Sequence, residues 1–437
     1  MHITETSNAG AAASLPRRTM LLVLGLCWAA ILSEGYDIGV MGTIVPALLS
    51  DPQWNLTPLE VGAMSSSALF GTLIGAYFIS PWSDIIGRKP LIILCIALFS
   101  GSMLAAAWAP TPQIFSLVRG IGGLGLGGVI PVAAALTIEY SPPHRRNLNF
   151  ALMYSGYPLG ALLSAWVGMT FMPEHGWRAV VAVGAIALLL IPIMMLWLPE
   201  SLEFLVAKKR TRQAQALASR LGISELPAPP IDKGKAQLSP FREILAEVFS
   251  KRNRRGTLCL WVAQCTAVMV VYGLGTWLPH YMRNNGYDLG SSLMFFATFN
   301  LAAALGGIVI GRIADRFGAR RTLALGFTFG ACAIAALSMK NSIMVTYILV
   351  ACAGFGSVAV ALVQLGYIAN YYAPHARASA TGWAVGIGRF GAMGGPILGG
   401  FVAGLQLGSF WNFLVFAAAA IAAAIAIIMT PAPTHER

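Results

Sequence analysis

Charge is what this chain has least of: Asp, Glu, Lys and Arg make up 11% of its 437 residues, against about 25% in a typical soluble domain. With 57% of the residues hydrophobic, so few charges cannot cover a water-soluble surface, which excludes a soluble enzyme and selects a protein that crosses a bilayer several times. Cysteine is equally scarce. The six, Cys27, Cys95, Cys259, Cys265, Cys332 and Cys352, stand in apolar stretches without metal-ligand or paired spacing and read as small buried hydrophobes. The six histidines lie in loops, at termini or near helix ends and form no metal set. No nucleophile–base pair or phosphate loop stands in context, so neither an enzyme nor a cofactor is expected. Residues 1–18 are polar and lead into a segment too long for a signal-peptide core, so no cleaved signal is expected.

What the chain does have is a series of apolar runs. Twelve are long enough to span, since roughly 20 residues suffice: residues 19–49, 61–82, 90–109, 112–139, 147–171 and 178–198, then 256–281, 291–312, 321–339, 342–367, 378–403 and 409–430. Between the two groups of six, residues 200–255 predict a cytoplasmic linker, with a short amphipathic helix over 210–222 and a Pro-containing tether over 227–240. Of the 29 Lys and Arg, 24 fall on one side if the N-terminus is cytoplasmic, and only Arg178, Arg283 and Lys340 fall on the other. The excess of cytoplasmic Lys and Arg then places both termini inside. The expected architecture is an all-α membrane protein of twelve transmembrane helices: a tail (1–18), an N-terminal six-helix bundle (19–199), the linker (200–255), a C-terminal six-helix bundle (256–430) and a cytoplasmic tail (431–437). The same placement accounts for the net charge of +12 without nucleic acid as partner.

An internal repeat runs at an offset of 231 residues. Gly75, Asp84, Gly87, Arg88 and Lys89 recur as Gly306, Asp315, Gly318, Arg320 and Arg321; Gly123 and Gly125 recur as Gly354 and Gly356; Pro143, His144 and Arg146 recur as Pro374, His375 and Arg377. Two parallel repeats of six helices describe a transporter whose substrate site lies at their interface near the midplane, and so alternating access.

Against that background Glu34 and Asp37 stand out. They sit mid-span, where a charge costs at least ~2.5 to 3.5 kcal/mol, and an ionisable group there is a functional candidate by default. Their i, i+3 spacing puts both on one helical face. Burial and mutual repulsion disfavour ionisation of both at once, which suits proton exchange; the alternative is that one simply pairs with a basic neighbour to hold helices together. Shifted by 231 they land on Cys265 and Val268, so they break the repeat. Arg389, in the eleventh span, breaks it too, since its counterpart is Pro158. Its planar fork suits a substrate carboxylate, with an ion pair to Asp37 or Glu34 as the alternative. Arg119 in the fourth span needs a partner as well.

The loop Asp84-Ile-Ile-Gly-Arg-Lys after the second span, echoed by Asp315-Arg-Phe-Gly-Ala-Arg-Arg after the eighth, resembles the cytoplasmic signature loop of the major facilitator superfamily. Arg119 with Gly123, Gly125 and Gly127 resembles its fourth-helix motif. Glu34-Gly-Tyr-Asp, Gly176-Trp-Arg, Leu198-Pro-Glu-Ser and the run from Gly388 to Gly400 are similar to the aromatic acid:proton symporters, which usually carry Asp where this chain has Glu34. The exporter signature of the fifth helix is replaced by Gly156-Tyr-Pro-Leu-Gly. The resemblance implies proton symport of a small aromatic carboxylate, of benzoate or hydroxybenzoate type, into a bacterial cell across its inner membrane, by a protein that functions as a monomer. The alternative is another organic anion, a sugar or a drug.

On this reading Asp37, Glu34 and Arg119 handle the proton, Arg119 by resemblance, with a structural hydrogen-bonding role open. Arg389 holds the carboxylate, and Tyr36, Tyr154, Phe299, Gln364 and Tyr367 contact the ring. Tyr157, Tyr272, Phe295, Gln264 and Asn300 form a wider set of candidates, while Trp277 and Trp383 sit near span ends. Asp84, Arg88, Asp315 and Arg316 are expected to latch the bundles at the cytoplasmic face, and Glu139 with Arg146 to form a salt bridge at the inner mouth.

Overall fold

A helix in hydrocarbon satisfies its own backbone, so its ends are set by capping side chains and by glycines that break the spiral. The computed structural model describes residues 16–142, 145–221, 248–250, 253–339, 341–372 and 374–431, and their regular structure is helical throughout. Before the linker come α1 (Arg17–Leu48), α2 (Pro58–Phe78), α3 (Arg88–Ala107), α4 (Pro112–Glu139), α5 (Arg146–Tyr154), α6 (Gly156–Val183) and α7 (Leu190–Trp197). Two short helices, α8 (Leu202–Ala207) and α9 (Thr211–Leu221), belong to the linker. After it come α10 (Arg254–Asn284), α11 (Leu289–Phe317), α12 (Ala319–Ala336), α13 (Ile343–Gly354), α14 (Val360–Tyr371), α15 (Pro374–Gly404) and α16 (Ser409–Met429). The tether expected over 227–240, both tails beyond residues 16 and 431, Pro143, His144 and Lys340 lie outside the described residues.

Among the described residues, ten helical stretches are long and apolar enough to cross a membrane. The difference from the twelve expected spans has two sources. The fifth and sixth run on as one stretch over Leu148–Trp197, broken where Gly176 takes φ 72 and ψ 178. The ninth, α12, carries Arg320 and Arg321 in its first turn and is not among the ten.

The repeat is written into the helix starts. Thr57 and Glu60 cap α2 reciprocally, each accepting the other's backbone N–H (3.3 and 2.8 Å), and Asp288 caps α11 by accepting the Ser291 amide at 3.0 Å. Thr111 and Ser342 cap α4 and α13 in the same way. Gly87 (φ 109) and Gly318 (φ 91) break the chain ahead of α3 and α12 in a backbone region that side chains resist. In each pair the second member stands 231 positions after the first.

Apolar packing is uneven along the long axis. One cluster joins residues from both sides of the linker, among them Val40, Ile44, Phe115, Leu274, Trp277 and Phe295, and reaches the loops at Leu49 and Tyr287. Toward the opposite end the packing separates: Val23, Leu91, Leu136 and Leu198 belong to a cluster confined to the first half, and Leu260, Leu323, Tyr371 and Ile427 to one confined to the second.

A close helix crossing carries the acids. Gly35 and Gly39 of α1 lie against Tyr157 and Ala161 of α6, and Gly156 and Gly160 of α6 against Leu32 and Tyr36 of α1, so small residues let the two helices meet backbone to backbone. A methyl group at Gly160 would overlap the carbonyl oxygen of Leu32 and stand 2.6 Å from the amide nitrogen of Tyr36. Gly160→Ala is therefore expected to cost about 1–3 kcal/mol through overpacking, seen as a lowered thermal midpoint in detergent. Gly25→Ala, where a methyl meets nothing within 4 Å, leaves the midpoint unchanged or higher.

Candidate functional site

α1 stays helical through Glu34 and Asp37, which are 3% and 0% exposed. One of them is neutralised directly. Asp37 Oδ1 accepts a 2.6 Å hydrogen bond from Arg119 on α4, and the second terminal nitrogen of Arg119 donates to the Asp37 carbonyl at 3.0 Å. The pair is closed to solvent, with Arg119 1% exposed, and Asp37 Oδ2 and Arg119 Nε are left without hydrogen-bond partners. Arg119 thus takes the partner it needs from the mid-span acids, and Arg389 does not compete for it.

Arg389 instead lines a central cavity of about 170 Å³. No ion pair or hydrogen bond holds its guanidinium among the described residues, and it acts on Glu34 by charge from beyond salt-bridge range. Glu34 Oε2 is buried without a hydrogen-bond partner. The remaining wall is apolar and aromatic. Gly35, Ile38 and Gly39 present one face of α1. Tyr154 stacks on Tyr157 (centroids 5.9 Å, planes 12° apart), and the Tyr157 hydroxyl reaches across to that of Tyr272 at 3.0 Å. Phe296, Phe299 and Asn300 come from α11, and Gln264 from α10. Between α13 and α14 a π-helical segment, Phe355–Ala359, widens the spiral and brings Val358 to the wall.

Of the residues expected at the substrate, Arg389, Tyr154 and Phe299 line this cavity. Tyr36, Gln364 and Tyr367 do not. Tyr36 donates to the Val180 carbonyl at 2.6 Å, pointing out of the cavity-facing arc of α1. Gln364 is wholly buried elsewhere in the second half, with neither amide atom hydrogen-bonded, and Tyr367 lies 8% exposed on the same helix. Tyr157, Tyr272, Gln264 and Asn300 line it in their place, and a signal for part of the wall was present in the repeat. Four wall positions are related by the 231 offset: Ile130 with Ala361, Tyr154 with Val385, Tyr157 with Gly388, and Pro158 with Arg389. The cavity is symmetric in position and asymmetric in chemistry.

In the loop between α2 and α3, Gly87 turns the chain so that Arg88 meets Glu139 at 2.8 Å and also bonds the Ser201 hydroxyl, with Glu203 at 3.6 Å. Glu200 Oε1 accepts the backbone N–H groups of Arg88, Lys89 and Ser201 at 2.9, 3.1 and 2.8 Å. Glu139 therefore pairs with Arg88 rather than with Arg146, which is exposed. Asp84, Asp315 and Arg316 are exposed as well, Arg316 lying 5.4 Å from the ring of Phe317. Among the described residues, no ion pair joins these groups across the two halves.

A mostly apolar cavity with an uncommitted guanidinium and few further polar groups has the make-up of a site for a small amphipathic anion. A profile of the Major Facilitator Superfamily matches residues 27–300 and 290–437. The chain belongs to the major facilitator superfamily. It is a membrane transporter and not an enzyme. It is similar to the benzoate transport protein of Acinetobacter baylyi (32% identity over 406 residues, 91% of this chain and 87% of that one). It is also similar to the gallate transporter of Pseudomonas putida (34% over 422 residues, 93% and 91%) and to the 4-hydroxybenzoate transporter PcaK of Acinetobacter baylyi (30% over 433 residues, 96% and 92%). In fold it is similar to the xylose transporter of Escherichia coli in a partially occluded inward-open conformation, with a TM-score of 0.74 at 16% identity over 96% of this chain and 99% of that one.

Breaking the Asp37–Arg119 pair by Asp37→Asn or Arg119→Gln leaves a lone charge in a dry site and is expected to destabilise by about 3–5 kcal/mol. The double variant recovers part of that loss. A double-mutant cycle of thermal unfolding in detergent measures it, and independent, additive effects would contradict the pair.

Proposed function

We propose that the protein imports a small aromatic carboxylate of benzoate or hydroxybenzoate type with protons, by alternating access across the bacterial inner membrane. The single observation that carries this reading is the unpaired guanidinium of Arg389 in an aromatic-walled cavity, with Glu34 buried and its Oε2 unpartnered on the helix that forms one wall. The relatives named for benzoate, gallate and 4-hydroxybenzoate transport support the cargo class.

The chemistry follows from the charges. A substrate carboxylate docks bidentately on Arg389 while its ring lies among Tyr154, Tyr157 and Phe299. The anion takes up the positive charge that otherwise faces Glu34, and the uncompensated Glu34 carboxylate then binds a proton. The Asp37–Arg119 pair holds the neighbouring charge still and offers the proton a second carboxylate once the pair loosens. Moving one charge across the membrane is worth ~2.3 kcal/mol per 100 mV, so an anion carried with one proton is electroneutral and with two is driven inward. A sugar would leave Arg389 without an anion to bind.

This reading includes twelve spans, with Gly176 separating the fifth from the sixth and α12 as the ninth. It places both termini in the cytoplasm, six-helix bundles over 19–199 and 256–430, a cytoplasmic linker over 200–255, and a functional monomer. The joint apolar cluster then lies at the periplasmic end, holding the bundles together there. Arg88, with Glu139 and Ser201, steadies the inner end of the first bundle, and Asp84, Asp315, Arg316 and Arg146 are available to latch the bundles when that end closes.

Uptake of labelled benzoates into proteoliposomes with an imposed proton gradient tests the whole reading. Accumulation is expected to collapse with a protonophore, and unlabelled hydroxybenzoates compete where xylose does not. Arg389→Gln is expected to weaken binding by on the order of 10- to 100-fold, the loss of a charge-assisted hydrogen-bonded contact. Glu34→Gln is expected to retain counterflow and lose accumulation. Accumulation that ignores the protonophore, or that persists in Glu34→Gln, overturns the coupling.

A further inference from the structure

A second cavity, of about 730 Å³, opens where the start of α1, the turn into α3, the end of α7 and the linker helix α9 come together. Its polar lining is strongly one-sided. Arg18, Lys89, Arg210 and Arg220 face it with a single carboxylate, Glu200, and that carboxylate already accepts three backbone N–H groups. None of the four cations is in an ion pair among the described residues. Lys89 donates to the Met195 carbonyl at 2.8 Å, and Arg210 lies 5.8 Å from the ring of Phe204. The other wall is apolar and open: Leu196, Trp197 and Ile86 are 69%, 64% and 39% exposed at the end of a membrane-crossing stretch and in the turn before α3.

A cavity with unneutralised cations on one side and exposed hydrocarbon on the other is matched by a molecule that is anionic at one end and apolar at the other. The cations lie on the face that the Lys and Arg distribution assigns to the cytoplasm, at the level of the headgroups. Basic pockets of this kind hold acidic lipid headgroups, each Lys or Arg adding to the affinity. We infer that this cavity binds one anionic phospholipid of the cytoplasmic leaflet, its phosphodiester among Arg18, Arg210 and Arg220 and its chains along Leu196 and Trp197. The lipid joins α9 to the ends of α1 and α7 and so fastens the linker to the first half beside the Arg88–Glu139 contact. A zwitterionic lipid brings its own ammonium group among these cations and is disfavoured.

The test is lipid binding to the full-length protein in neutral detergent, by native mass spectrometry and by the thermal midpoint, and it needs no transport measurement. Phosphatidylglycerol is expected to remain bound and to raise the midpoint; phosphatidylcholine and water-soluble glycerol 3-phosphate are not. The triple variant Arg18→Gln, Arg210→Gln, Arg220→Gln is expected to bind phosphatidylglycerol on the order of 100-fold more weakly, with its midpoint in phosphatidylcholine equal to that of wild type. Trp197→Ser, which keeps the cations, is expected to lose part of the lipid response, and this second variant stands if the triple variant does not fold. Equal responses to the two phospholipids overturn the proposal, as does an unchanged response in the triple variant. A response to glycerol 3-phosphate as large as that to the lipid overturns the lipid assignment in favour of a free phosphate site.

Discussion

The structure depends on keeping charge stable where water is absent. Asp37 and Arg119 meet in a site closed to solvent, and neither could be held there alone without a penalty of several kcal/mol. Their pairing ties α1 to α4 at mid-span. It also leaves Arg389 unpaired: with Arg119 engaged, the Arg389 guanidinium lines the cavity without an ion pair among the described residues. Glu34 is left as the one mid-span acid without a direct partner. A transporter needs this division, because a charge that is permanently satisfied can position helices but cannot respond to a ligand.

The helical, membrane-crossing character was legible in sequence because apolar length reports directly on the solvent around each segment. The 231-residue offset was legible too, and it reaches further than the matching signature residues, since unlike residues such as Thr57 and Asp288 do the same capping work. The twelve spans expected from sequence compare with ten candidate spans among the described residues. One apolar run passes through Gly176 without a polar loop, and the start of α12 is diluted by two arginines.

The site was only partly legible. That Glu34, Asp37, Arg119 and Arg389 stand out follows from charge in hydrocarbon, but which arginine meets Asp37 depends on how α4 crosses α1, and no spacing in the sequence encodes that. Tyr36 shows the limit from the other side. It stands one residue from Gly35, yet one residue is ~100° of helix, enough to carry its ring from the arc shared by Gly35, Ile38 and Gly39 to a hydrogen bond with Val180. Arg146 failed to find Glu139 for a related reason: the left-handed turn at Gly87 delivers Arg88 there first.

The uneven apolar packing gives the molecule a thermal bias. The cluster shared by the two halves lies at one end, so parting the halves there wets apolar side chains such as Leu274 and Phe295, while parting them at the other end separates clusters that are already distinct. Wetting apolar surface raises heat capacity, and its free-energy cost falls on cooling. In the proposed alternating-access cycle, the balance between the two openings then depends on temperature as well as on ligand, with cold favouring the opening that warmth holds shut.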